Sequence, residues 1–194
     1  MHCVIYGHSF VKRLNNHLNK NSVKKLVNIA CKLRVNKYFE RVVAIGKSGA
    51  TVMNTSHESI ARSLKYKEVD LLILDIGAND LDNGVPPLNV AVKLIDLAKD
   101  LIDHQYSKRV VIFSLLYRKY QETDDTNKFN DNVNKCNNII KNMALVEDNI
   151  NYHTHRGYWT NPIEKWSIDG IHPIVESYHQ KMRQAILFNA KRIQ

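Results

Sequence analysis

One stretch limits the possible folds more than any other. Val69 to Ile76 is dominated by apolar residues, and its centre reads Leu71-Leu72-Ile73-Leu74. A strand with one wet face alternates apolar with polar residues, whereas an unbroken apolar run is buried on both faces. Burial of that kind needs helices above and below a parallel sheet. The rest of the chain supplies the parts. Cys3 to Tyr6, Val42 to Ile45, Val110 to Leu116 and Ile150 to His153 read as further strands. Between them the spacing turns helical. Phe10, Leu14 and Leu18 share one face, and Ser22 is placed to cap a second helix with Val23, Leu26, Val27, Ala30 and Leu33 inward. Ile60, Ala61 and Leu64 mark a short helix. Pro86 and Pro87 open a longer one that turns Ala91, Leu94, Ile95, Ala98, Leu101 and Ile102 inward. Phe129, Val133, Cys136, Ile140 and Met143 line the next, with asparagines on its outer face. Val175, Tyr178, Met182 and Ile186 line the last. The expectation is a three-layer α/β/α sandwich with a mostly parallel five-stranded sheet, formed by residues 1–194 as a single domain.

Bulk properties narrow the function classes. No apolar run approaches the roughly 20 residues that span a bilayer. Met1 to Tyr6 has no basic region, apolar core or cleavage site of a signal peptide. These absences point to an intracellular, cytoplasmic protein, and a strand starting at residue 3 implies that little of the domain precedes it. The three cysteines, Cys3, Cys31 and Cys136, have no metal-ligand spacing and read as free thiols, buried at Cys3 and Cys136. The net charge of +9 is uneven. Residues 1–57 hold ten Lys/Arg and one acid, Glu40, while residues 58–194 hold eighteen of each sign. Residues 12–47 are therefore a candidate contact for nucleic acid or an anionic surface. A plain solvated basic face explains the same bias, and no aromatic residues alternate with the charges as a single-strand platform requires.

In parallel α/β sheets, sites form at the carboxyl ends of strands. Three such ends carry small polar motifs: Gly7-His8-Ser9, Gly46-Lys47-Ser48-Gly49 and Gly77-Ala78-Asn79-Asp80. A fourth motif, Asp169-Gly170-Ile171-His172, follows the last strand and is free to fold back over the same edge. Acyl transfer to water needs a nucleophile, a base, a group that orients the base, and donors for the developing oxyanion. Ser9, His172 and Asp169 fit the first three roles. The backbone N–H groups of Ser9 and Gly49, with the Asn79 carboxamide, fit the fourth. Each motif taken alone has a plainer explanation: Ser9 as a helix cap, Gly77–Asp80 as a turn, Gly46–Gly49 as a loop. Neither phosphate-binding glycine pattern is present, which disfavours a nucleotide-binding domain.

Taken in order, the four motifs resemble those of the SGNH hydrolases, also called GDSL-type lipases and esterases. The resemblance runs from Gly7 to His172 and the helix beyond. It implies an esterase with Ser9 as nucleophile, Gly49 and Asn79 as oxyanion donors, Asp169 and His172 completing the triad, and no metal or organic cofactor. His8 departs from the family, which usually has aspartate there. Its side chain is expected to diverge from that of Ser9, and its charge would change near pH 6.5. The pairing of Gly7-His8-Ser9-Phe10-Val11 with His155-Arg156-Gly157-Tyr158-Trp159 is also similar to SGNH-type domains associated with mobile elements in animal genomes. Arg156, Tyr158 and Trp159 are candidates for the lip of the substrate site, or they pack their loop onto the body. His153 and His155 alone make a poor zinc site. The competing class is a weakly catalytic or inactive binding module that contacts an anionic partner through the basic N-terminal third.

Overall fold

The structure, a computed structural model, describes residues 1–19, 27–64, 68–118, 124–155, 166–167 and 169–192. Five strands, β1 (His2–Gly7), β2 (Arg41–Gly46), β3 (Leu71–Asp75), β4 (Val110–Phe113) and β5 (Ile150–His153), form one all-parallel sheet in the order β2-β1-β3-β4-β5. The helices are α1 (Ser9–Leu18), α2 (His57–Ser63), α3 (Ala78–Asp82), α4 (Pro87–Asp103), α5 (Asp124–Ala144) and α6 (Val175–Ala190).

All of β3 is buried, as its composition requires. Successive side chains point to opposite faces of a strand. Leu72 and Leu74, with Val4 and Tyr6 of β1, enter a core shared with α2, α3, α4 and α5. Leu71 and Ile73, with Cys3 and Ile5, enter a second core shared with α1, α6 and the segment before β2. This gives the three expected layers.

The strand order reverses between β1 and β3, where ligands bind in sheets of this kind. Register sharpens the placement. Gly7 pairs with Gly46 on one side and Asp75 on the other, so the ends of β2, β1 and β3 are level and their loops leave side by side. A Cβ on Gly46 would stand 2.1 Å from the Lys12 nitrogen, so α1 crosses the end of β2 this closely only over glycine.

Four local expectations need correction. Residues 27–39 form turns rather than a helix, while Ser22, Val23 and Leu26 lie outside the described residues. Ile29, Ala30 and Leu33 are buried nonetheless. The reason is Asn28. Its side-chain oxygen accepts from the N–H groups of Ala30 and Val42, both at 3.0 Å, and its amide donates to Glu40 at 2.8 Å. Local side-chain bonds of this type compete with helix. Next, Gly77–Asp80 does not simply turn but starts the short helix α3.

The pairing of β4 stops at Phe113, short of Leu116. Beyond it, the main chain is gripped by α5, whose asparagines do not all face outward. The Asn137 carboxamide accepts from the Leu115 N–H at 2.8 Å and donates to the Leu115 carbonyl at 2.9 Å. Asn130 does the same to Arg118 at 2.8 and 3.0 Å. Asn134 accepts from the Tyr117 hydroxyl. A carboxamide carries the donor and acceptor of a peptide group, so α5 takes the place of a neighbouring strand here.

Cys3 and Cys136 are buried and Cys31 is exposed, all as free thiols. Among the described residues, no helix is long and apolar enough to cross a membrane.

Candidate active site

Ser9 is the first residue of α1, directly after β1 and the N-cap His8. Its backbone N–H is one of those a helix leaves without an internal partner. Opposite it, the Asp169–His172 turn is tightly bonded within itself. Asp169 Oδ1 accepts from the N–H of Ile171 at 3.0 Å, the N–H of His172 at 2.9 Å and the Ser167 hydroxyl at 2.7 Å. The Ser167 N–H in turn donates to the His172 carbonyl at 2.8 Å. The other oxygen, Oδ2, meets the imidazole and a guanidinium: His172 Nδ1 lies 2.8 Å from it and Arg13 donates to it at 3.3 Å. His172 Nε2 lies 2.9 Å from Ser9 Oγ. Asp169, His172 and Ser9 thus form one unbroken line of hydrogen bonds.

The ionisation states suit that line. Burial alone would raise the Asp169 carboxyl, but the bonds from Ser167, His172 and Ile171 overcome it and hold the carboxyl well below the usual range. His172 is lowered, first by burial, against the raising effect of its bond to Asp169; Arg13 lowers it further. A lowered imidazole is neutral near neutral pH, with Nε2 free to accept a proton when Nδ1–H is directed at the carboxylate.

His8 does not diverge from Ser9 as expected. Its Nδ1 is 3.4 Å from Ser9 Oγ, so the serine hydroxyl meets two imidazoles. The ring is buried and its edge meets Phe10, with centroids 4.3 Å apart. Its Nε2 is 3.9 Å from Asp75 Oδ1, whose partner oxygen accepts from the Tyr178 hydroxyl. Burial lowers His8 and raises Asp75, while each partly opposes that effect on the other. Both shifts favour the uncharged forms, so His8 takes up its proton below the pH 6.5 expected from sequence.

Of the oxyanion candidates, Ser9 and Asn79 line a common cavity and Gly49 does not. Asn79 spends one N–H on the Ala50 carbonyl at 2.9 Å, leaving its second amide hydrogen. Gly49 is exposed on the loop after β2, in the left-handed region at φ +69°. That loop is held by Asp80, whose carboxylate accepts from the N–H groups of Val52 at 2.8 Å and Met53 at 3.0 Å. Asp80 therefore does more than close its own motif: it hangs the β2 loop on the end of β3.

The cavity has a volume of about 180 Å³. Besides Ser9, His172 and Asn79 it is walled by Phe10, Leu116 and Phe129, and by Arg118 and Asp82. Arg118 is paired with Asp82 and lies over the Phe129 ring at 4.2 Å from its centroid. No sequence motif pointed to Arg118, Asp82 or Arg13, because only the fold brings them to Ser9 or to Asp169. Arg156, Tyr158 and Trp159 lie outside the described residues. Among the described residues, no group of three His, Cys, Asp or Glu side chains is placed to hold a metal.

Residues 8–180 match the model of the GDSL-like lipase/acylhydrolase family. No curated protein matches the sequence. Among solved structures, the aryl esterase of M. smegmatis is similar over 100% of this chain and 99% of its own, with a TM-score of 0.72 and 13% identity. Est24, a carbohydrate acetylesterase from Sinorhizobium meliloti, covers 100% and 99% with a TM-score of 0.66 and 14% identity. A mutant of Axe2, an acetyl-xylooligosaccharide esterase from Geobacillus stearothermophilus, covers 97% and 93% with a TM-score of 0.66 and 17% identity. At these identities the structures speak to fold alone. All three are bacterial, and none lends support to an association with mobile elements.

Proposed function

The chain belongs to the GDSL-like lipase/acylhydrolase family, and on that premise we propose that it is a serine esterase that cleaves a carboxylic ester through an acyl-enzyme on Ser9. The observation that carries this reading is the line of 2.8 and 2.9 Å contacts from Asp169 through His172 to Ser9 Oγ. Ser9 Oγ attacks the acyl carbonyl while His172 Nε2 takes its proton. Asp169 keeps Nδ1–H directed at its carboxylate and stabilises the imidazolium that forms. The Ser9 N–H and the second Asn79 N–H receive the oxyanion, with the Gly49 N–H as a third donor once substrate is bound. His172 then returns the proton to the departing alkoxide, releasing the alcohol. Water, deprotonated by the same Nε2, attacks the acyl-enzyme; the acid leaves and Ser9 Oγ regains its proton.

A cavity of about 180 Å³ beside Ser9 supports a short acyl group. Two of the structural relatives carry acetyl esterase in their names, which agrees with that size.

The test is hydrolysis of 4-nitrophenyl esters of increasing acyl length by wild type beside Ser9→Ala, His172→Ala and Asp169→Asn. Each variant is expected to lose about a thousandfold or more in kcat. A fluorophosphonate should label wild type at Ser9 and leave Ser9→Ala unmodified. Full turnover by folded Ser9→Ala would sink the mechanism.

A further inference from the structure

Part of the positive charge of this protein lies on one flank of the candidate site. The excess belongs to residues 1–57, and the fold divides it: Arg41 opens β2 at the amino end of the sheet, and the Lys32 ammonium meets the far end of α1 at Leu18 and Asn19. The single acid of residues 1–57, Glu40, precedes β2 and pairs with His2 at 3.6 Å, at the amino end of the sheet. Lys12, Arg13 and Lys47 are at the carboxyl end. Lys12 and Arg13 follow Ser9 by three and four positions on α1, which sets them one turn away. Lys47 begins the β2 loop, donating its N–H to the Gly7 carbonyl at 2.9 Å, and the Lys12 ammonium reaches Ser48 in that loop at 3.2 Å.

None of the three lines the cavity, whose own cation, Arg118, is already matched by Asp82. Two acids border this flank among the described residues: Asp169 is engaged by His172 and Arg13, and the buried Asp80 by the N–H groups of Val52 and Met53. Ser9 therefore stands between a cavity sized for the acyl group, whose Arg118 is matched by Asp82, and a flank that bears Lys12 and Lys47.

Resting on the esterase reading above, we propose that the preferred substrate is a short acyl ester whose alcohol part carries negative charge, a carboxylate or a phosphate. Lys12 and Lys47 attract that charge and hold it beside Ser9 while the acyl group enters the cavity. The bond broken is still the acyl–oxygen bond, and the anionic group takes no part in the chemistry. A field of this kind raises the encounter rate and weakens as salt shortens its reach, from a screening length of about 10 Å at 0.1 M to about 3 Å at 1 M.

Three aryl acetates test this: methyl 4-acetoxybenzoate, neutral; 4-acetoxybenzoate, a carboxylate; and 4-acetoxyphenyl phosphate. Each enzymatic rate is divided by the spontaneous hydrolysis rate of the same ester. The expected result is a kcat/KM about tenfold higher for an anionic ester than for the neutral one at low salt. That advantage should vanish near 1 M salt, and it should shrink severalfold in the double variant Lys12→Gln, Lys47→Gln. Comparing the two anions identifies which group the flank prefers. Ser9-dependent turnover with no anionic preference, or a preference untouched by salt and by the double variant, overturns this inference and leaves the esterase reading standing. Absence of Ser9-dependent turnover on all three esters, in folded protein, overturns both.

Discussion

Arg13 and Asp169, 156 positions apart in the chain, share a hydrogen bond of 3.3 Å at the carboxylate oxygen that also accepts from His172. The guanidinium therefore sits beside the histidine and acts against its protonation. In the mechanism proposed above His172 takes the serine proton only when neutral, and its pKa is lowered, first by burial. Activity should be full above that value and lost as pH falls through it, so the acid limb of kcat/KM should lie below the ordinary imidazole value of about 6.5. Arg13→Gln removes a neighbouring cation, raises the pKa of His172 and should move this limb to higher pH. A pH profile of both proteins decides it; a limb that moves downward contradicts the arrangement.

His8→Asp would install the residue usual in the family, yet here it should be the worse substitution. It sets a second carboxyl in the buried space of Asp75, where the pair cannot readily ionise. The folded pKa of such a pair is raised above the unfolded value, so the folded state holds its proton longer. Stability is then greatest in acid and falls as pH rises through the unfolded carboxyl value of about 4 and on to the folded one. Urea midpoints at about pH 5 and pH 8 should separate widely for His8→Asp and only slightly for His8→Asn. Equal midpoints for His8→Asp would place the new carboxylate in solvent.

Asp80→Ala strips the partner from the buried Val52 N–H and from the Met53 N–H. One buried unpaired donor costs about 1–3 kcal/mol. The loop bearing Gly49 should then loosen, lowering kcat by about tenfold or more, with a smaller change in KM. Denaturant melts and steady-state kinetics on one preparation give both readouts, and a stable variant with unchanged kcat would separate the loop from the chemistry.

Asn137→Ala leaves the N–H and carbonyl of Leu115 without the partners they have now, both in the buried core. A loss of about 2 kcal/mol or more follows from two such groups. Asn130→Ala should cost less, because that pair is only partly buried and water can replace the carboxamide. The order of the two in chemical denaturation is the check.

The layers were readable because burial on two faces leaves an unmistakable run at Leu71–Leu74, and period-2 and period-3.6 spacing mark nearly every other element. The meeting of Ser9, His172 and Asp169 was readable for a different reason. Each lies in a short motif at the edge where a parallel sheet opens its loops. What escaped was set by side chains acting on distant main chain. Asn28 bonds across to Val42, and residues 27–33 turn where spacing alone suggests helix. Asn130 and Asn137 look like solvent-facing residues in sequence and act on residues 12 and 22 positions away. Arg118 has no motif at all, and joins Ser9 in lining the cavity while Asn130 of α5 holds its backbone. The direction of the His8 ring depends on the space between Asp75 and Phe10, which only packing decides.

The grip of α5 on the segment after β4 has a consequence for how this protein can change. Asn130 and Asn137 hold peptide groups and take no interest in which side chains those peptides bear. Leu116 and Arg118, which wall the cavity, can therefore be exchanged while the backbone keeps its course. The pocket can be recoloured, by drift or by an engineer, on a frame that does not need to be rebuilt each time.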